Sequence, residues 1–115
     1  MNHQMKLNPE AYESIKSGTK NLEIRLYDEK RQQIALKDTI TFSKLPILDE
    51  TITKKVVGLV VFSNFIELFK NVDGTKAGWK SDDPSEKMAL DMEKYYSKDD
   101  QTTYGVIGIF LEDID

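Results

Sequence analysis

The stretch whose reading decides the fold is Gly18-Thr19-Lys20-Asn21-Leu22-Glu23-Ile24-Arg25-Leu26-Tyr27-Asp28-Glu29-Lys30-Arg31. Apolar residues at 22, 24 and 26 alternate with Glu23, Arg25 and Tyr27. Alternation of this kind predicts a half-buried β-strand. Residues two apart on a strand share a face, so Glu23 and Arg25 point the same way, roughly 7 Å apart along the chain. Leu22, Ile24 and Leu26 face a core. An acid beside a guanidinium, next to a Gly-Thr-Lys turn, fits two roles: the pair holds a polar planar ligand, or its members hold each other. Strand parity sends Lys20 to the opposite side from Glu23 unless the turn extends past it.

Working outward, Asn8-Pro9 predicts a helix start, with a capping side chain and proline at the first helical position. Ala11, Tyr12 and Ile15 form its apolar stripe, and Gly18 closes it. Lys20 therefore stands at a helix-to-strand turn, where an ammonium and backbone amides can converge on an anion. Asp28 to Arg31 is too charged for a core strand and reads as a loop or a single helical turn. Thr39 to Lys44 alternates like a strand, and Pro46 to Glu50 connects a hairpin. Thr51 to Phe62 contains an almost continuous β-branched run, the pattern of a buried strand. Asn64 with Glu67 caps a short helix, and residues 71–82 form a loop. Asp83-Pro84-Ser85-Glu86 caps a third helix, near residues 84–96, with proline at the first helical position and Met88, Met92 and Tyr95 or Tyr96 on one face. Ser97 with Asp100 starts a further short helix, and Tyr104 to Leu111 is a final apolar strand. Val56 to Phe62 and Val106 to Leu111 are expected at the centre of the sheet.

The segment Gly18-x-Lys20-x-x-Glu23-x-Arg25 resembles the signature of the ASCH (activating-signal-cointegrator homology) domain family, small domains of the PUA-like superfold. The likeness extends to Met5-Lys6-Leu7, Leu26 to Arg31, Lys37 to Phe42, Tyr95-Tyr96-Ser97 and Tyr104 to Ile109. It implies an α+β fold, a mixed β-barrel with peripheral helices, over a single domain of residues 1–115. It also implies a polar cleft that recognises RNA or a modified nucleoside. Some family members are amidohydrolases acting on an acylated cytidine, and others are reported as ribonucleases, so Lys20 and Glu23 are candidate catalytic residues. The amidohydrolases pair the motif lysine with a threonine three residues later and with a glutamate after the middle helix. Here Glu23 stands where that threonine would be, and no matching glutamate lies around Lys76-Ala77-Gly78. A hydroxyl nucleophile is missing at that position, and Thr19 is on the wrong side of the lysine. A third reading makes the Glu-Arg pair purely structural, in an interaction module.

Composition narrows the classes. The 115 residues contain no cysteine, which excludes disulfides, a thiol nucleophile and a thiolate metal site. His3 is the only histidine and is expected at the surface. No metal site and no cofactor are expected. No apolar stretch approaches the roughly 18 residues that read as a membrane span, and no signal peptide is evident. The expectation is a cytoplasmic protein, with a monomer as the default and the oligomeric state left open. The net charge of −4 argues against a strong non-specific nucleic-acid binder. Its distribution is uneven: residues 1–57 carry a net of +2 and residues 58–115 a net of −6. The basic surplus thus lies in the half that holds the signature. The ligand-binding candidates are Lys20, Glu23 and Arg25, with Lys30 and Arg31 as rim cations for phosphate. Trp79 is a stacking or packing aromatic, and Tyr104 stands at a strand end where a pocket could open.

Overall fold

The turn at Gly18 organises the first third of the chain. In the computed structural model, which describes residues 1–114, helix α1 spans Pro9–Ser17. The Asn8 side chain accepts a hydrogen bond from the Ala11 N–H at 2.9 Å, and Gly18 closes the helix at φ 86°. That left-handed conformation is one glycine adopts without steric cost. Strand β2, Leu22–Leu26, follows.

Five strands form one sheet. β1 is Asn2–Leu7, β3 Thr39–Lys44, β4 Thr51–Phe62 and β5 Val106–Asp113. The order is β1-β3-β4-β5-β2. β1 pairs with β3 in parallel, and the other pairs are antiparallel. β4 and β5 are interior strands, as their apolar continuity predicts. β1 and β2 are the two edges, and the sheet curls into a half-barrel that brings them near each other. Three helices, α2 (Phe65–Asn71), α3 (Ser85–Met92) and α4 (Lys98–Tyr104), lie between β4 and β5 in the chain. The class is α+β, with helices peripheral to the sheet.

Two apolar clusters fill the two sides. Met5, Tyr12, Ile15, Ile40, Phe42, Val56, Ile107 and Ile109 pack inside the curl, beneath α1. Leu22, Ile24, Phe65, Leu68, Met88, Met92 and Val106 pack under the other helices. β2 runs between them. Glu23 and Arg25 lie opposite Ile109 and Ile107 of β5, and directly opposed residues share a face. The acid and the guanidinium therefore belong to the inner side. The half-buried strand expected from alternation is instead buried on both faces, because helices cover one and α1 with the barrel mouth covers the other.

Three local expectations are corrected. The first concerns β1, which the sequence reading leaves without a strand. Its side chains alternate between exposed and buried along Asn2–Leu7, with His3 in the buried phase. His3 is buried, not on the surface, because parallel pairing sets it beside Ile40. Second, the helix expected near 84–96 stops at Met92, and Pro84 is its cap rather than its first helical residue. Backbone hydrogen bonds from Lys94 to Asp91 and from Tyr95 to Met92 tighten the chain out of the helix there. Third, the last strand starts at Val106, because Tyr104 ends α4 and Gly105 (φ 76°) makes the turn.

His3 supports a pH prediction. Its Nε2 lies 2.8 Å from Asp38 Oδ2, and the Ala35 N–H donates to the same oxygen at 3.0 Å. These hydrogen bonds, that from His3 first, lower the Asp38 pKa from 3.8 to about 2. A carboxyl with a lowered folded-state pKa stabilises the fold above its unfolded pKa and loses that contribution as pH falls through the folded one. Urea denaturation between pH 5 and pH 2 should show stability falling most steeply below about pH 4. Asp38→Asn should make that fall shallower. A variant as steep as the parent would remove Asp38 from the account.

Candidate functional site

The turn after α1 delivers Lys20 to the acid. The Asn21 carbonyl accepts from the Leu111 N–H of β5 at 2.9 Å, but the Lys20 N–H donates back to Ser14 O at 3.0 Å, so Lys20 lies in the turn, outside the ladder of β2. Strand parity does not apply to it. Lys20 Nζ reaches Glu23 Oε1 at 3.2 Å, on the same side as Arg25 rather than opposite. Thr19 turns away, its hydroxyl 3.2 Å from Ser14 O and 3.1 Å from Ser17 Oγ.

Glu23 is the centre of the arrangement, with only 4% of its surface exposed. Oε1 also accepts from the Ile24 N–H at 3.2 Å, and Oε2 accepts from Arg25 Nη2 at 3.1 Å. The same Nη2 donates to the backbone carbonyl of Lys6 at 3.0 Å. Arg25 thus ties edge strand β2 to edge strand β1 across the open seam of the sheet. Burial pushes the Glu23 pKa up, but Arg25 and then Lys20 outweigh it, and the carboxyl is held below its usual value. Burial likewise opposes the Arg25 charge, while Glu23 and the nearby Tyr96 hydroxyl raise its pKa above the ordinary value. The opposite shifts of the carboxyl and the guanidinium both favour the charged pair of Glu23 and Arg25.

These three residues lie in a cleft of about 830 Å³. Lys6, Glu10 and Ser14, from β1 and α1, form one wall. Trp79, Tyr95 and Tyr96 form the other. Trp79 also packs: its ring meets Phe69 edge-on at 5.0 Å, and Nε1–H donates to Asp91 Oδ2 at 2.9 Å. Trp79 thus packs against the core as well as lining the cleft.

The remaining candidates lie elsewhere. Arg31 Nη1 donates to Asp28 Oδ2 at 2.8 Å, in the loop after β2, and Arg31 is not part of the cleft lining. Lys30 is exposed and also outside the lining, yet it feels the cleft. Its pKa is lowered by partial burial and then by the nearby charges of Arg31, Arg25 and Lys6, against the opposing pull of Asp28. Tyr104 ends α4, half-buried, away from the cleft. Sequence reasoning missed Lys6, Tyr95 and Tyr96. For Lys6 the signal is its outward phase on β1. For the tyrosines it is their place just past a helix end.

Among the described residues no group of three or more His, Cys, Asp or Glu is arranged to hold a metal ion. No described helix is long and apolar enough to cross a membrane.

The family model of the ASCH domain matches residues 5–114. The chain belongs to the ASCH domain family. Its architecture is the PUA-like α+β fold of that family. The crystal structure of hypothetical protein PH0355 is 34% identical, with a TM-score of 0.83, over 99% of this chain and 100% of that one. The solution structure of protein PF0455 from Pyrococcus furiosus is 28% identical, with a TM-score of 0.76, over 100% and 99%. The crystal structure of ASCH from Zymomonas mobilis shares the fold at 18% identity and a TM-score of 0.64, over 97% of this chain and 67% of that one. No curated protein matches the chain.

Proposed function

We propose that this ASCH domain binds RNA or a nucleotide-like ligand in the cleft floored by Lys20, Glu23 and Arg25. The observation that carries the reading is a buried carboxylate clamped between two cations whose donor capacity is only partly used. An ammonium has three donors and a guanidinium five. Lys20 gives one to Glu23, and Arg25 engages Glu23 and Lys6 through Nη2, with the Tyr96 hydroxyl as a further neighbour of its guanidinium. The spare donors suit the carbonyls of a base or the oxygens of a phosphate. Glu23 Oε2 accepts one hydrogen bond, from Arg25, and a carboxylate oxygen has the lone pairs to accept a second from a base edge. Cations crowded around Lys30, Arg25 and Lys6 add attraction for a phosphate at the mouth. A few contacts of this sort fit a single nucleotide or a short strand better than a long duplex.

Binding is favoured over hydrolysis for a chemical reason. A general base works best with a pKa near the operating pH, and Glu23 is held below the usual carboxylate value. Three residues after Lys20, where the amidohydrolases carry their threonine, this chain has the carboxylate of Glu23.

Titration with ribonucleoside 5′-monophosphates and short single-stranded RNA tests the proposal. Lys20→Met should weaken binding roughly tenfold or more, the worth of one charged hydrogen bond. The parent affinity should fall gently with salt, with a log–log slope of about −1 to −2, as two or so phosphate contacts imply. A Lys20→Met variant that folds and binds like the parent would sink the reading.

A further inference from the structure

Two adjacent tyrosines close one wall of the cleft, and they are used differently. Tyr96 is half-buried, and its ring tilts against Phe65 with centroids 5.8 Å apart. Tyr95 is 70% exposed at the rim. Its hydroxyl makes no hydrogen bond among the described residues. Its backbone is fixed all the same, because the N–H groups of Tyr95 and Tyr96 both donate to Met92 O, at 3.0 and 3.1 Å. A single exposed aromatic ring is ordinary on a protein surface. This one stands at the lip of a cation-lined cleft, with a cation on each side of the mouth. Lys94, the residue before it, also lines the cleft; it is 72% exposed and touches Asp91 only at 3.7 Å. Lys6, on the facing wall, is exposed and has no ion-pair partner among the described residues.

We infer that Tyr95 is a stacking platform for a second nucleotide, flanking the one held over Glu23, with Lys94 and Lys6 placed to meet the phosphates on either side. The inference rests on the nucleotide-binding reading above and deepens it: the ligand is a single strand of RNA rather than a free nucleotide. Single-strand binders combine these parts, an aromatic face for the base and flanking cations for the backbone. An unpaired strand exposes the base faces that such a ring needs. Tyr95 has its ring free and its backbone anchored, so stacking costs little ordering. Glu10 on the facing wall and Asp91 beneath Lys94 keep the net charge of the mouth modest. Stacking, rather than charge alone, must then distinguish a strand from a free phosphate.

The experiment compares the four ribonucleoside 5′-monophosphates with the four homohexaribonucleotides by calorimetric titration. It uses the parent, Tyr95→Ala and Tyr95→Phe. The parent should bind its preferred hexamer at least tenfold more tightly than the matching monophosphate. Tyr95→Ala should weaken the hexamer about 5- to 150-fold, the worth of one base–aromatic stack. It should weaken the monophosphate far less than the hexamer, and Tyr95→Phe should retain the hexamer affinity. The inference is overturned, with the cleft reading intact, if the parent holds both probes equally or if Tyr95→Ala leaves the hexamer unaffected. It is also overturned if Tyr95→Ala weakens both probes alike. If the parent binds none of the probes, the nucleotide reading itself fails and takes this inference with it.

Discussion

Glu23→Ala is expected to destabilise the domain by about 3–5 kcal/mol, the usual consequence of removing one partner from a buried ion pair. The carboxylate is 4% exposed and compensates two cations, Lys20 at 3.2 Å and Arg25 at 3.1 Å. Without it, two positive side chains, 16% and 15% exposed, face each other in a cleft that keeps much of the water away. Arg25 would also lose the contact that holds its guanidinium over the Lys6 carbonyl, and the seam between β1 and β2 would loosen. Glu23→Gln keeps the shape and one acceptor but not the charge, so its loss should be smaller. The informative partner is the triple variant Lys20→Met/Glu23→Met/Arg25→Leu. Replacing a whole buried ionic set by apolar residues is often neutral or stabilising, so this variant should recover much of the stability lost by Glu23→Ala. It should bind no nucleotide at all. Urea denaturation followed by circular dichroism, with a binding titration on the same samples, reads both quantities. A Glu23→Ala protein as stable as the parent would mean that water already screens both cations and that the cleft is wetter than the burial of Glu23 implies.

The sequence shows Lys20, Glu23 and Arg25 as a group, and the structure gathers them around one carboxylate. What the sequence leaves open is the side on which Lys20 lies. That depends on the left-handed Gly18 and on backbone hydrogen bonds to Ser14 and Lys76, one of them more than fifty residues away in the chain. Elements with strong local signals are legible: the Asn8, Asn64 and Ser97 caps, the alternation of β2, and the β-branched run of β4. β1 carries a period-2 pattern too, but its buried phase begins with a histidine. Among the described residues its ladder partner is a parallel strand reached through α1 and β2. Neither the burial of His3 nor the bond from Arg25 to Lys6 has a local signal. The Tyr95–Tyr96 split is equally non-local. It depends on α3 ending at Met92, and a periodic reading carries the helix past that point.

Phe65→Ala should rank with Glu23→Ala in cost and should reach the cleft by a different route. Phe65 is fully buried in the cluster under α2, α3 and β2, and its N–H donates to Gln101 Oε1 at 3.1 Å. Truncating a buried phenylalanine costs about 3–5 kcal/mol through lost transfer energy and the cavity left behind. Against a typical total of about 5–15 kcal/mol, that is a large share of the stability. The ring also backs Tyr96, which lines the cleft and supports the charge on Arg25. A cavity behind Tyr96 lets that side chain drop inward, withdrawing its hydroxyl from the guanidinium. Phe65→Ala should therefore lower nucleotide affinity even where the protein is fully folded. Ile40→Ala supplies the comparison. Ile40 is fully buried in the inner cluster, paired with His3 and Lys54, which lie outside the cleft lining. Its truncation should cost about 2–5 kcal/mol and leave the affinity of the folded fraction unchanged. Denaturation curves give the stability of each variant, and titration below the unfolding transition gives the affinity of the native state. If both variants lose stability and neither loses affinity, Tyr96 holds its place without Phe65, and the coupling from core to cleft is absent.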